Sequence, residues 1–80
     1  MQITVKLFAT LGRFAPTGGT PGTPFFMEVP EGARVQEVLQ LLNLPEEEVK
    51  VAYVNGRRRE PDFILQEGDT IGIFPPVGGG

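Results

Sequence analysis

The first residues alternate: Ile3, Val5 and Leu7 fall on one side of an extended chain and Gln2, Thr4 and Lys6 on the other, which predicts a half-buried strand. Beyond Ala9 and Leu11, the segment from Pro16 to Pro24 holds three prolines and three glycines, too many for a helix or a central strand, and reads as a long loop. Alternation resumes with Phe25, Met27 and Val29 against Phe26 and Glu28 until Pro30 ends it. Two strands joined by an oversized connection are the expectation.

From Arg34 to Leu42 the period changes: Val35, Val38, Leu39 and Leu42 recur at the spacing of one helical face. No Ser, Thr or Asp stands where this helix should be capped, Ala33 or Arg34 occupying the place, although Glu31 and Glu37 suit the positive end of the dipole. Asn43 and Pro45 should stop it. Val49 to Val54 is rich in β-branched residues and runs into Asn55-Gly56, a hairpin turn signal, with a return at Arg57 to Arg59 that Pro61 cuts short. Phe63, Ile64 and Leu65 are expected to form a short buried connection. After the Gly68-Asp69 turn, Ile71 and Ile73 alternate with Thr70 and Gly72 in a last strand. One helix can cover only one face of such a sheet. The pattern therefore predicts an α+β, β-grasp roll in the order ββαββ, a four- to five-stranded mixed sheet with the first and last strands central.

Length and composition narrow the chemistry. Eighty residues make one small domain with a thin core, so enclosed active sites are not expected. The sequence holds no Cys, His, Trp or Ser. Thiolate and imidazole metal sites, Ser/His and Cys/His nucleophile pairs and disulfides are excluded with them. A net charge of -3 argues against nucleic acid held by counterion release. No apolar run approaches the roughly 20 residues of a bilayer span, and the alternating start is unlike a signal peptide. No membrane association and a cytoplasmic location are the expectations.

The remaining motifs read blandly. Glu46-Glu47-Glu48 follows Pro45 without a period that would oppose two carboxylates across a cleft, and is expected to be a solvated acidic loop. Arg57-Arg58-Arg59 could grip a phosphate or a partner's carboxylates, but consecutive strand positions alternate faces, which favours a solvated hairpin. Gly18, Gly19 and Gly22 lack the Gly-Lys-Ser/Thr ending of a phosphate loop. Tyr53 and the two lysines are expected to be structural or solvated.

Two aromatics break the alternation. Phe8 shares the parity of Thr4 and Lys6, and Phe74 that of Thr70 and Gly72, so both should lie on the face away from the helix as a partner-binding patch. The alternative is that the loop from Thr10 to Thr23 folds over Phe8 and hides it. The end of the sequence, Phe74-Pro75-Pro76-Val77-Gly78-Gly79-Gly80, is a stiff stem followed by a thin thread. Extended, residues 77–80 span roughly 13 Å, enough to carry the carboxylate of Gly80 into a slot too narrow for any Cβ. With so little side-chain chemistry, that carboxylate is the candidate reactive group, and an inert tail is the alternative. The expected organisation is a β-grasp domain over 1–74, with its Gly/Pro/Thr loop at 15–24, and a flexible tail over 75–80.

Nearly the whole sequence resembles the ThiS/MoaD-type ubiquitin-like sulfur carriers, most closely the small subunit of molybdopterin synthase. The resemblance rests on Leu7-Phe8-Ala9-Thr10-Leu11-Gly12-Arg13, Val29-Pro30-Glu31-Gly32-Ala33 leading into a helix with Leu39 and Leu42, Val54-Asn55-Gly56, Gly68-Asp69 and the terminal Phe74 to Gly80. It implies the β-grasp fold and a protein substrate without an autonomous active site. An E1-like adenylyltransferase would spend ATP to join Gly80 to AMP, giving the carboxyl a good leaving group. A sulfurtransferase or persulfide donor would then replace oxygen by sulfur, leaving a thiocarboxylate on Gly80. In the molybdopterin branch the tail, with Phe8, Phe74, Pro75, Pro76, Val77, Gly78 and Gly79 as partner-binding residues, enters the large subunit, where the sulfur builds a dithiolene. No bound cofactor and no metal are implied.

Two departures keep the acceptor open: the long loop from Ala15 to Pro24, and Arg34 where many relatives place a capping Thr or Ser. Thiamine, tRNA-thiolation or cysteine pathways, or a pterin for tungsten enzymes, are alternatives. So are a ubiquitin-like modifier joined to lysines through Gly80 and a binding module whose tail is never activated.

Overall fold

In a computed structural model, which describes residues 1–16 and 20–76, five strands form one mixed sheet. The elements are β1 (Gln2–Leu7), β2 (Phe25–Glu28), α1 (Val35–Leu41), β3 (Val51–Val54), β4 (Arg57–Arg59) and β5 (Thr70–Phe74). They are ordered β2-β1-β5-β3-β4 across the sheet. β1 and β5 run parallel in the centre, with Lys6 opposite Gly72 and Leu7 opposite Ile73. The other pairings are antiparallel. The helix crosses one face between β2 and β3, the β-grasp arrangement. The return after Asn55-Gly56 is thus a strand in its own right, and the sheet has five members.

Alternation explains the packing. Ile3, Val5, Leu7, Ile71, Ile73, Ala52 and Val54 point toward the helix and bury against Val35, Val38 and Leu44. The core members lie between residues 3 and 73 and include no charged side chain. Leu11 is fully buried as well, carried into the core by a 3-10 turn over Ala9–Phe14 that the alternation did not foretell.

Helix α1 is bounded by backbone devices. Arg34 takes the N-cap position, and half of a capping box is present: its backbone N–H donates to Glu37 Oε1 at 3.0 Å. At the other end Asn43 adopts φ 57°, and the bonds Asn43 N to Gln40 O and Leu44 N to Leu39 O, each 3.0 Å, close a Schellman motif. Asparagine therefore ends the helix by turning left-handed, and buried Leu44 re-enters the core.

Two expectations need correction. The 63–65 connection is buried only at Leu65, 2% exposed; Ile64 is half exposed and bridges Arg34, because consecutive residues in extended chain cannot all face one core. The Glu46–Glu48 segment is a 3-10 turn, and Glu48 accepts from Arg13 Nη2 at 2.6 Å rather than being free in solvent. Among the described residues no helix is long and apolar enough to cross a membrane.

Candidate functional site

The sheet face opposite the helix is open, and alternation fills it with the residues that the core rejects. Lys6 on β1, Gly72 on β5 and Tyr53 on β3 stand opposite one another in the register and form one row. Val51 opposite Phe74 begins the next row. Phe8, just beyond β1, lays its ring flat on that of Phe74, centroids 4.3 Å apart and planes 3° from parallel. Tyr53 meets Phe74 edge-on at 5.6 Å and 78°. Both are favourable aromatic geometries.

Gly72 is the floor of this arrangement. A Cβ there would lie 3.2 Å from Phe8 Cε2 and 3.7 Å from Phe74 Cε1, so the Phe8 ring occupies the space a side chain would need. The result is an open groove of about 550 Å³ lined by Lys6, Phe8, Lys50, Tyr53, Phe74 and Pro75 among others. The loop does reach Phe8: Gly22 donates its N–H to Leu7 O at 2.7 Å, and a Cβ on it would sit 3.4 Å from Phe8 Cε1. It covers one edge of the ring only, since Phe8 remains half-buried and lines the groove.

The structure therefore brings Phe8, Phe74 and Pro75 together. Pro76 is exposed and does not line the groove. Val77, Gly78, Gly79 and Gly80 lie outside the described residues, as do Gly18 and Gly19. Three groove residues were expected to be only structural or solvated: Tyr53, Lys6 and Lys50. Their signal was the parity that Tyr53 and Lys6 share with Gly72 once the strand order is known. The arginine hairpin is not uniformly solvated either: Arg57 and Arg58 are exposed, while the Arg59 guanidinium lies 4.5 Å over the Phe63 ring and its buried Nε has no hydrogen-bond partner among the described residues.

What the fold and face define is a ubiquitin-like β-grasp protein whose last strand leads the chain out of an aromatic groove. The chain belongs to the ThiS family, whose model matches residues 5–80. It is similar in structure to a Pyrococcus furiosus protein assigned as subunit 1 of molybdopterin converting factor, at 30% identity and TM-score 0.73, with 96% of this chain and 99% of that one covered. It is similar also to small archaeal modifier protein 1 of Methanosarcina acetivorans, at 28% identity and TM-score 0.63, covering 99% and 96%. A chain in the complex of subunits 1 and 2 of molybdopterin-converting factor from Helicobacter pylori matches over 100% of both chains at 21% identity and TM-score 0.63, a likeness of fold. No curated protein matches the sequence.

Proposed function

We propose that the chain is a sulfur carrier, the small subunit of a molybdopterin synthase-type complex, acting through the carboxylate of Gly80. The observation that carries the reading is the exit of the chain from the groove: β5 ends at Phe74, stacked on Phe8, and Pro75 lines the same groove. A partner seated on this face is thereby placed beside the start of the tail. The domain over 1–74 supplies the docking surface and the tail over 75–80 the reactive group.

A carboxylate resists nucleophiles because it is negative and its oxygen is a poor leaving group. In the proposed cycle an E1-like adenylyltransferase joins Gly80 to AMP from ATP, releasing pyrophosphate. A persulfide donor or sulfurtransferase then displaces AMP to give an acyl disulfide, and a second thiol reduces the S–S bond, leaving as a disulfide with the donor and freeing a thiocarboxylate. The large subunit takes up the tail and its sulfur is used for dithiolene synthesis. The Pyrococcus furiosus similarity supports the molybdopterin acceptor, and the Helicobacter pylori complex supports a second subunit as partner. ATP acts on the activating enzyme, and the chain itself carries no cofactor in this scheme.

The similarity to the Methanosarcina acetivorans modifier favours one second reading, conjugation of Gly80 to lysines of other proteins. The intact mass of the chain recovered from producing cells separates the two. A carrier gains the mass difference between sulfur and oxygen on a single carboxyl oxygen. A modifier appears in higher-mass adducts that reducing agents do not release, and such adducts without any sulfurated form overturn the carrier reading.

A further inference from the structure

The groove carries a charge opposite to that of the molecule. The chain is net negative, with ten acidic side chains against seven cations, yet among the described residues the groove is lined by two lysines and by no acidic side chain. Lys6 stands on β1 in the row of Gly72 and Tyr53. Lys50 precedes β3, its backbone N–H donating to Phe74 O at 2.8 Å, so the two lysines reach the groove from different strands. Among the described residues neither lysine forms an ion pair, whereas Arg13, outside the groove, is paired with Glu48. Between the lysines the Phe8 ring lies over Gly72, so the floor of the groove is aromatic.

We propose that this face recognises an acidic partner surface: a carboxylate received between Lys6 and Lys50, next to an apolar side chain lying on Phe8 and Phe74. The inference rests on the docking role assigned above to the groove and specifies the chemistry of what docks. Lysine stems lie along apolar surface while their heads seek a counter-charge, and water expelled from the aromatic floor strengthens the pairing. Two cations on this face of a net negative chain also help to orient the encounter with an acidic partner. A purely protective role for the lysines, keeping an exposed apolar patch from self-associating, predicts something different.

The test compares the wild-type chain with Lys6→Glu/Lys50→Glu and the milder Lys6→Gln/Lys50→Gln, binding the activating enzyme of the same organism. Wild-type affinity should fall between about 50 and 300 mM salt. The charge-reversed chain should bind roughly tenfold or more weakly at the lower salt and lose that dependence. Thermal melts establish that each variant is folded, and the Gln pair gives an intermediate result if reversal disturbs the sheet. Unchanged affinity and salt dependence in a folded variant, with or without new self-association, overturns the proposal. An NMR titration with the peptide Glu-Phe-Glu-Leu and its counterpart Gln-Phe-Gln-Leu tests the face without any activation chemistry. Amides of Lys6, Phe8 and Gly72 should respond to the acidic peptide, and equal responses to both, or none to either, overturn the proposal. Failure of the carrier reading shows instead as a wild-type chain that never gains sulfur, which leaves the peptide result standing by itself.

Discussion

Phe8 and Phe74 lie flat on one another, 4.3 Å between centroids, although 66 positions separate them in sequence. The parallel pairing of β1 with β5 makes this possible, because it puts the ends of the two strands side by side at the edge of the core. Phe74 also holds Tyr53 at its edge, so one side chain links three strands on the open face. Replacing Phe74 by Asp should remove both contacts, costing about 1–3 kcal/mol of stability, and weaken association with the large subunit or the activating enzyme by tenfold or more. Unfolding in urea should remain cooperative, because Phe74 stands outside the buried cluster. Undiminished affinity would remove the patch from the interface.

Gly72 separates groove shape from groove chemistry. Gly72→Val places branched carbons where the Phe8 ring now lies, 3.2 Å from the Cβ position. The strand itself should accept valine, a residue of high β propensity, so the melting temperature should move by only a few degrees, about 1 kcal/mol. Binding should suffer far more than stability. Calorimetric titration of a partner against the variant measures this, and a loss of stability as large as the loss of affinity would assign Gly72 to packing alone.

The core makes the contrasting case. Leu11 is 0% exposed and sits on the 3-10 turn after β1, so Leu11→Ala should cost about 2–5 kcal/mol in a denaturant titration. In a chain this small that is a large share of the total. A cost below that range would mean that the turn can collapse into the space left behind.

The Asn55-Gly56 turn was legible as a turn but not as a clamp. Asn55 adopts φ 51°, its Oδ1 accepts from Thr70 N at 2.9 Å, and its Nδ2 donates to Asp69 Oδ1 at 2.9 Å. Asp69 Oδ2 in turn accepts from Gln66 N at 2.8 Å. One asparagine thus ties the β3–β4 turn to the start of β5. Asn55→Ala should destabilise by about 1–3 kcal/mol, while Asn55→Gly, which keeps the backbone freedom, recovers part of it. Equal losses in both variants would assign the whole effect to the side-chain bonds.

These residues show where a single sequence is readable. Periodicity fixes which side of each strand faces the helix, so the core strands, the helix and the position of Phe8 and Phe74 followed from parity alone. Partners distant in sequence did not follow. Arg13 and Glu48 lie 35 positions apart, and nothing local distinguishes them from other exposed charges. Tyr53 joins Phe74 only because β3 pairs with β5, a fact of strand order. The turn carrying Leu11 was hidden for a related reason: six residues are too short to display a period.

The proposed chemistry of Gly80 gives the sharpest separation of function from fold. The described core is assembled from residues 3 to 73, so removing Gly80 or changing Gly79 to Ala takes away none of its members. The melting temperature should therefore stay within about a degree of the wild type. Adenylation, by contrast, requires the terminal carboxylate to reach the α-phosphate of ATP inside another protein, where a placement error of one residue is several ångströms and reaction rates fall steeply with misalignment. Deletion of Gly80 leaves the carboxylate one residue short, and Gly79→Ala adds a methyl group in the narrow thread. ATP–pyrophosphate exchange by the activating enzyme should drop by orders of magnitude for the deletion and measurably for Gly79→Ala. Exchange that is insensitive to the loss of Gly80 would sink the mechanism, and a large fall in melting temperature would make the tail part of the fold rather than its reagent.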